Sequence, residues 1–396
     1  MTHSRHCPYR QSILLQQALA PDKMRIAFLL GAGCPVSIGV PDGEKTVSLI
    51  PDIRGLTLRV KGEIEKLDAQ KAHYSALLKR FGTETPTIED ILSEIRVLQG
   101  VVRDSAIDGL DKKILADLDA EICRITTSVV GVNLPESTTP YHQFAMWIGG
   151  IQRMYPIEIF TPNYDLLVEQ ALEAHKIPYF DGFIGSRQAF FDLTSMENES
   201  LPSRWSRLWK IHGSVNWWRT VNDEVVRRDA GSQGERQMIY PSHLKYDQSR
   251  RMPYLAMLDR LRAFLARGQA VLVASGYSFA DQHLNEVILH GLRSNPTAIC
   301  FGLLFGNRSS YPSLLATAKK QPNLSLLAED GAVLGAVESG WRHEVNTAHP
   351  LHDVCVSGDG GDAGCQFLLG DFKKFGGFLA RQLSRFDDEL VSQNAP

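Results

Sequence analysis

The chain has no C-x-x-C pair, no apolar run approaching a membrane span, and no block of basic residues. Each absence excludes something. The six cysteines, Cys7, Cys34, Cys123, Cys300, Cys355 and Cys365, are too scattered for a four-ligand zinc site or a thioredoxin-type pair, so reduced thiols are expected. Cys355 and Cys365 flank a glycine-rich loop and are a candidate pair, against the reduced default. A bilayer crossing takes roughly 20 apolar residues. The opening MTHSRHCPYRQ leads only into a short apolar stretch from Ile13 to Ala20, a poor secretory signal, so a cytoplasmic location without membrane contact is expected. The net charge of −3, from 42 Lys+Arg against 45 Asp+Glu, argues against nucleic-acid binding by charge alone. Internal repeats are absent too.

What is there is an ordinary globular composition, 43% hydrophobic and 22% charged over 396 residues, enough for one large domain with appendages or for two. Continuous apolar runs ending in glycine or a polar residue predict strands buried on both faces. They are Arg25 to Leu30, Pro156 to Phe160, Arg207 to Ile211, Ala270 to Ala274 and Ala298 to Leu303, with a short one at Gln237 to Tyr240. Helical periodicity fills Thr139 to Met154, Tyr164 to His175, Pro253 to Ala266 and Asp281 to Leu292. This alternation predicts an α/β fold, a Rossmann-like and mainly parallel sheet with helices on both faces. Between the first two strands, about 60–134, lies a helical insertion with runs from Val60 to Leu78, from Thr87, and from Asp111 to Val130. The expected organisation is an N-terminal segment 1–23, a domain 24–310, and an extension 311–396. That extension has the loop Ser357 to Gly364 and an amphipathic helix from Asp371 to Phe386, docked on its own domain or on a neighbouring subunit.

Four segments sit at the ends of these strands, where a parallel sheet opens a ligand crevice. Gly31-Ala32-Gly33 is a glycine turn suited to close phosphate approach, although Val36 breaks the full G-x-G-x-x-G fingerprint. Asp52 stands at the ribose-acid distance beyond it. Thr161-Pro162-Asn163-Tyr164-Asp165 offers Asn163 either as a donor–acceptor able to orient a water or as the N-cap of the next helix. Asp165 either bonds a substrate amide or holds the loop. His212 precedes Gly213 and can exchange a proton near neutral pH. In Gly276-Tyr277-Ser278-Phe279-Ala280-Asp281, Asp281 is placed to cap a helix. His142, His243 and His290 have no such setting and read as structural.

In this order, with Gly39-Val40-Pro41-Asp42 behind the glycine turn, the segments resemble the sirtuin NAD-binding fold. They are more closely similar to the sirtuin-like NADases of bacterial anti-phage defence. The resemblance implies Asn163 and His212 as catalytic residues. For the dinucleotide it implies Gly31, Ala32, Gly33, Pro41, Asp42, Thr161, Asp165, Gly276, Ser278 and Asp281. Asp281-x-His283-Leu284-Asn285 resembles the defence-associated branch, with His283 a further candidate ligand. The tail Leu369 to Phe375 resembles proteins encoded beside a HerA-type ATPase, which implies that partner and a homo-oligomer.

Two departures from the deacetylase pattern stand out. Gly43-Glu44 replaces the Phe-Arg that follows Pro-Asp, and the cysteine-bound zinc module is missing, so no metal is expected. The reaction implied is hydrolysis of the N-glycosidic bond of NAD+ to nicotinamide and ADP-ribose, with NAD+ consumed as substrate. An NAD-dependent protein deacylase and a non-catalytic NAD or ADP-ribose sensor are the alternatives.

Overall fold

The computed structural model describes residues 6–20, 24–83, 85–102, 106–197, 201–220, 222, 224–228, 235–238, 253–342, 345–358 and 364–393. Its centre is a nine-stranded sheet. In chain order the strands are β1 (Arg25–Leu30), β2 (Glu158–Thr161), β3 (Tyr179–Phe180), β4 (Ser206–Lys210), β5 (Ala270–Ser275), β6 (Ile299–Leu303), β7 (Leu324–Ala328), β8 (Gly331–Leu334) and β9 (Val337–Gly340). Across the sheet they run β9-β8-β7-β6-β5-β1-β2-β4-β3. The first seven are parallel, and β8 and β9 add an antiparallel edge. The fold is therefore mixed α/β with a mostly parallel central sheet.

Side-chain alternation divides the core between the two faces of this sheet. From β1, Ile26, Phe28 and Leu30 point into one hydrophobic cluster, whereas Ala27 and Leu29 point into the other. The first face is covered by the helices Ile53–Ile64, Asp68–Lys79, Ile88–Val101 and Lys112–Val130, by Pro140–Gly150, and by the C-terminal helix Phe372–Gln393. The second is covered by Tyr254–Ala266 and Gln282–Ser294. No helix among the described residues is long and apolar enough to cross a membrane.

Caps explain where the insertion's helices begin. Thr87 and Asp90 form a reciprocal capping box, and Asp111 accepts from the Ile114 amide at 2.7 Å. Asp52 does the same for Ile53–Ile64, accepting from Gly55 at 2.8 Å, so the residue at the ribose-acid spacing is a helix cap. The run expected from Val60 to Leu78 is two helices, broken at Glu65 to Leu67.

Strands β7, β8 and β9 carry the same sheet on past residue 310. The C-terminal helix spends its aromatic face on its own domain: Phe372, Phe375, Phe378 and Leu379 are buried, Phe28 lies 6.2 Å from Phe375, and Trp147 donates to Gln382 at 3.2 Å. That face is intramolecular core, and Phe386 is outside the residues whose side chains are described. Finally, the short strand expected at Gln237 is Glu235–Met238, one edge of a separate five-stranded antiparallel sheet with Gly213–Arg219, Val225–Arg227, Ala189–Phe191 and Phe183–Ile184. Ile239, Tyr240 and His243 lie outside the described residues, as does most of the expected 357–364 loop. Cys355 and Cys365 are not joined by a disulfide.

Candidate functional site

Parallel register brings the carboxyl ends of four strands level. Leu30 pairs with Ser275, Leu29 with Phe160, and Thr161 with Lys210. Each strand's following loop therefore emerges on the same side of the sheet, at the point where the chain has crossed from one flank of β1 to the other.

These loops touch one another in a closed circuit. The Gly33 amide donates to the Gly276 carbonyl at 2.8 Å, joining the loops after β1 and β5. Asp281, at the end of the β5 loop, takes His212 Nε2 at 3.1 Å, joining β5 to β4. The Ile211 amide donates to the Thr161 carbonyl at 2.9 Å, joining β4 to β2. Asn163 Nδ2 then donates to the Gly31 carbonyl at 3.0 Å and returns the circuit to β1. Thr161 reinforces that last join, donating to the Leu30 carbonyl at 2.7 Å while accepting from the Asn163 amide at 3.0 Å.

Glycine is required where the loops meet, for a reason the motif alone does not reveal. A Cβ on Gly31 or Gly33 would overlap the backbone of Gly276, and one on Gly276, at φ +62°, would sit 2.5 Å from the Cys34 nitrogen. The glycines thus let two protein loops approach each other, not only a phosphate. Gly276→Ala combines left-handed strain with that overlap and is expected to cost about 2 kcal/mol or more. Urea denaturation checks this; a midpoint shift under a tenth of the wild-type value would refute it.

The half-buried Asn163 is not a helix cap. The following helix begins later, at Leu167, and it is Asp165 Oδ1 that accepts from the Leu167 amide at 3.0 Å. Asp165 is buried, and its carboxylate holds the loop from within. Burial pushes its pKa up to about 6, against the pull of the nearby Lys210 ammonium. Lys210, 2% exposed in side chain, meets Glu169 at 3.0 Å and also donates to the Asp165 carbonyl. The loop bearing Asn163 is clamped from below by this buried ion pair.

His212 is 8% exposed and is followed by Gly213 at φ +90°. Asp281 meets it while also capping the Gln282–Ser294 helix, its other oxygen accepting from the Leu284 amide at 3.2 Å. Ser278 and Ala32 lie exposed at the rim, Gly33 partly so. Pro41 and Asp42 occupy an exposed hairpin, Gly39–Asp42 with Lys45–Ser48, which the circuit does not include. His283 is exposed on the helix, whereas Asn285 turns back, donating to the Phe279 carbonyl at 2.6 Å and accepting from the Tyr277 hydroxyl at 2.9 Å. His142 belongs to a capping box with Thr139.

What sequence reasoning missed is Lys210, Glu169 and the pairing of Asp281 with His212. Lys210 did carry a signal, since a lysine ending an otherwise apolar strand must find an anion once buried. Among the described residues no three His, Cys, Asp or Glu side chains gather as a metal set.

No curated protein matches the chain. Among solved structures, a Sir2 homolog–NAD complex is similar at 14% identity and TM-score 0.38, over 82% of this chain and 90% of that one. A structure concerning the mechanism and regulation of Sir2 enzymes is similar at 12% identity and TM-score 0.36, over 75% and 86%. A mutant Sir2 homologue with ADP ribose is similar at 15% identity and TM-score 0.33, over 73% and 84%. A model of the SIR2-like domain matches residues 157–322, the segment that holds Thr161, Asn163, Asp165, His212, Gly276 and Asp281, while the glycine turn at Gly31 lies before it.

Proposed function

We propose that this chain is an NAD+ hydrolase that cleaves the N-glycosidic bond of NAD+ to nicotinamide and ADP-ribose. The observation that carries the reading is the closed circuit. It sets a neutral donor–acceptor, Asn163, and a proton-exchanging group, His212, on neighbouring loops of one crevice, beside a glycine turn. The match to a SIR2-like domain over 157–322 supports NAD+ as the dinucleotide.

The chemistry asks little of the protein. The leaving nicotinamide departs as a neutral base from a cationic precursor, so it needs no acid. What must be stabilised is the oxocarbenium-like centre at ribose C1, and what must be supplied is a water on its open face. Asn163 is fixed through Nδ2 to Gly31, so its Oδ1 serves to accept from that water. His212 polarises a ribose hydroxyl and takes up the proton as the water adds. Cleavage consumes one water and releases nicotinamide, ADP-ribose and a proton.

Asn163→Ala should therefore cut turnover by ~10²-fold or more while NAD+ affinity changes only a few-fold, the pattern of a contact made in the transition state. The lost bond to Gly31 should cost about 1 kcal/mol of stability. Calorimetry with NAD+ beside a nicotinamide assay checks the split. Affinity lost in proportion to activity would remove the water-positioning role.

We further propose, from the resemblance of Asp281 to Asn285 and of the Leu369 to Phe375 stretch, that the activity serves anti-phage defence in the cytoplasm. There the chain would act as a homo-oligomer with a HerA-type ATPase. One experiment tests the whole reading: nicotinamide release from NAD+ by the purified chain alone, with that ATPase, and with an acetylated peptide. Release that requires the peptide would make the chain a protein deacylase. NAD+ binding without release in any arm would make it a sensor.

A further inference from the structure

Asp281 is among the residues expected to touch NAD+, yet both of its carboxylate oxygens are committed within the protein. Oδ1 accepts from the Leu284 amide at 3.2 Å and caps the Gln282–Ser294 helix; Oδ2 lies 3.1 Å from His212 Nε2. The two side chains are 11% and 10% exposed, so the pair is nearly closed to water.

The loop that delivers Asp281 is unusually well fixed. Gly276 and Phe279 both hold positive φ, +62° and +56°, an arrangement costly for phenylalanine. Asn285, one turn into the helix, grips the Phe279 carbonyl at 2.6 Å and the Tyr277 hydroxyl at 2.9 Å. Asn285 also donates its amide to the Asp281 carbonyl at 3.0 Å. The helix thus presents Asp281 as a rigid group and not as a surface carboxylate free to turn toward a ligand.

We propose that Asp281 is the positioning residue for His212: it fixes the imidazole through Nε2 and stabilises the ring's protonated form. This rests on the NAD+-cleaving reading above and deepens it. It also moves Asp281 from dinucleotide ligand to partner of the proton-transfer group. A carboxylate that orients an imidazole and raises its basicity is a general device of acid–base sites. Here it has a second consequence. Because the same carboxylate caps Gln282–Ser294, the position of that helix sets the position of the His212 ring, which couples the β5 side of the crevice to the β4 side.

Among the described residues, the phenols of Tyr164 and Tyr277 also sense Asp281. Burial first, with the Asp281 charge among the lesser causes, holds both far above their ordinary range. Neither changes charge between pH 5 and 9.

Asp281→Asn separates the two tasks, since asparagine caps a helix as well as aspartate does but carries no charge. Expected are a native fold, a kcat lower by ~10–100-fold, a KM for NAD+ within about 3-fold, and an acidic limb of the kcat profile displaced to lower pH. Asp281→Ser, which keeps a cap with a side chain too short to reach His212, should give the same kcat loss and serves if the asparagine variant misfolds. Nitrogen-15 histidine NMR of the full chain reads the His212 tautomer and titration directly, without NAD+. In the wild type Nε2 should carry the proton at neutral pH, and in Asp281→Asn the ring should titrate at lower pH. A raised KM with unchanged kcat would make Asp281 a substrate ligand and overturn the proposal, as would a His212 titration that Asp281→Asn leaves unmoved. Absence of nicotinamide release by the wild type would instead overturn the functional reading, while the NMR arm still decides the pairing.

Discussion

His212→Ala is expected to lower NAD+ cleavage by ~10²-fold or more, the usual scale for a positioned acid–base group. The side chain lies just past the end of β4 and is buried, so its loss leaves a small cavity beside Asp281 but takes nothing from the two hydrophobic clusters. Two structural effects accompany it. The Asp281 carboxylate, 11% exposed, loses one of its partners but keeps the Leu284 amide, so the helix cap survives. The circuit of loops is opened between β4 and β5 but stays closed through Gly33–Gly276 and Asn163–Gly31. NAD+ should therefore still bind, with the loss falling on kcat. His212→Gln keeps a hydrogen bond to Asp281 without a titrating group, and should be as inactive as the alanine variant while matching wild-type stability. A folded His212→Ala chain with near wild-type turnover would remove this histidine from the mechanism.

The sheet was legible in the sequence because its strands are buried on both faces. Arg25 to Leu30, Ala270 to Ala274 and Ala298 to Leu303 are apolar runs that only such a setting accommodates, and they became β1, β5 and β6. Helix starts were legible wherever a local cap defines them, as at Thr87, Asp111 and Asp281. Asn163 shows the limit of that logic. Its residue type and its place after a strand fit a cap, yet the chain runs on in turn geometry to Leu167, and Asp165 does the capping from two residues further along. A difference of a single turn cannot be read from residue preference.

Partnerships across the sheet were harder to read. His212 and Asp281 come from different strand ends, and only the register of β4 against β2, β1 and β5 brings them together. The Glu158 carboxylate, inside β2, makes the same point, held at 2.7 Å by Trp209 and at 2.9 Å by Arg260. The aromatic face of the C-terminal helix was visible in its spacing, but what it covers was not. An apolar stripe has no address, and here it is the Pro140–Gly150 helix of the same chain that receives it.

Lys210→Met should destabilise the chain by about 3–5 kcal/mol at pH 8, the scale for breaking a buried ion pair by removing one partner. The methionine fills most of the volume, so the cost is electrostatic. It leaves Glu169, at 11% side-chain exposure, without the ammonium 3.0 Å away, and takes the Lys210 donor from the Asp165 carbonyl, while the Tyr164 carbonyl keeps the Val215 amide at 3.0 Å. The loss should also depend on pH through Asp165. Its folded pKa, about 6, lies above the ordinary carboxyl value of 3.8, so between these the folded chain binds more protons than the unfolded one. Stability therefore falls as pH rises through that window, and the penalty is complete above it. Lys210 lowers the Asp165 pKa, so its removal carries the window upward and deepens the penalty. The variant should regain part of its lost stability on going from pH 8 to pH 5.5, and an added Asp165→Asn should abolish most of that recovery. Urea denaturation at the two pH values measures both effects. A loss below about 1 kcal/mol at pH 8, or one that is the same at pH 5.5 with Asp165 intact, would mean that Lys210 does not clamp the Asn163 loop through buried charge.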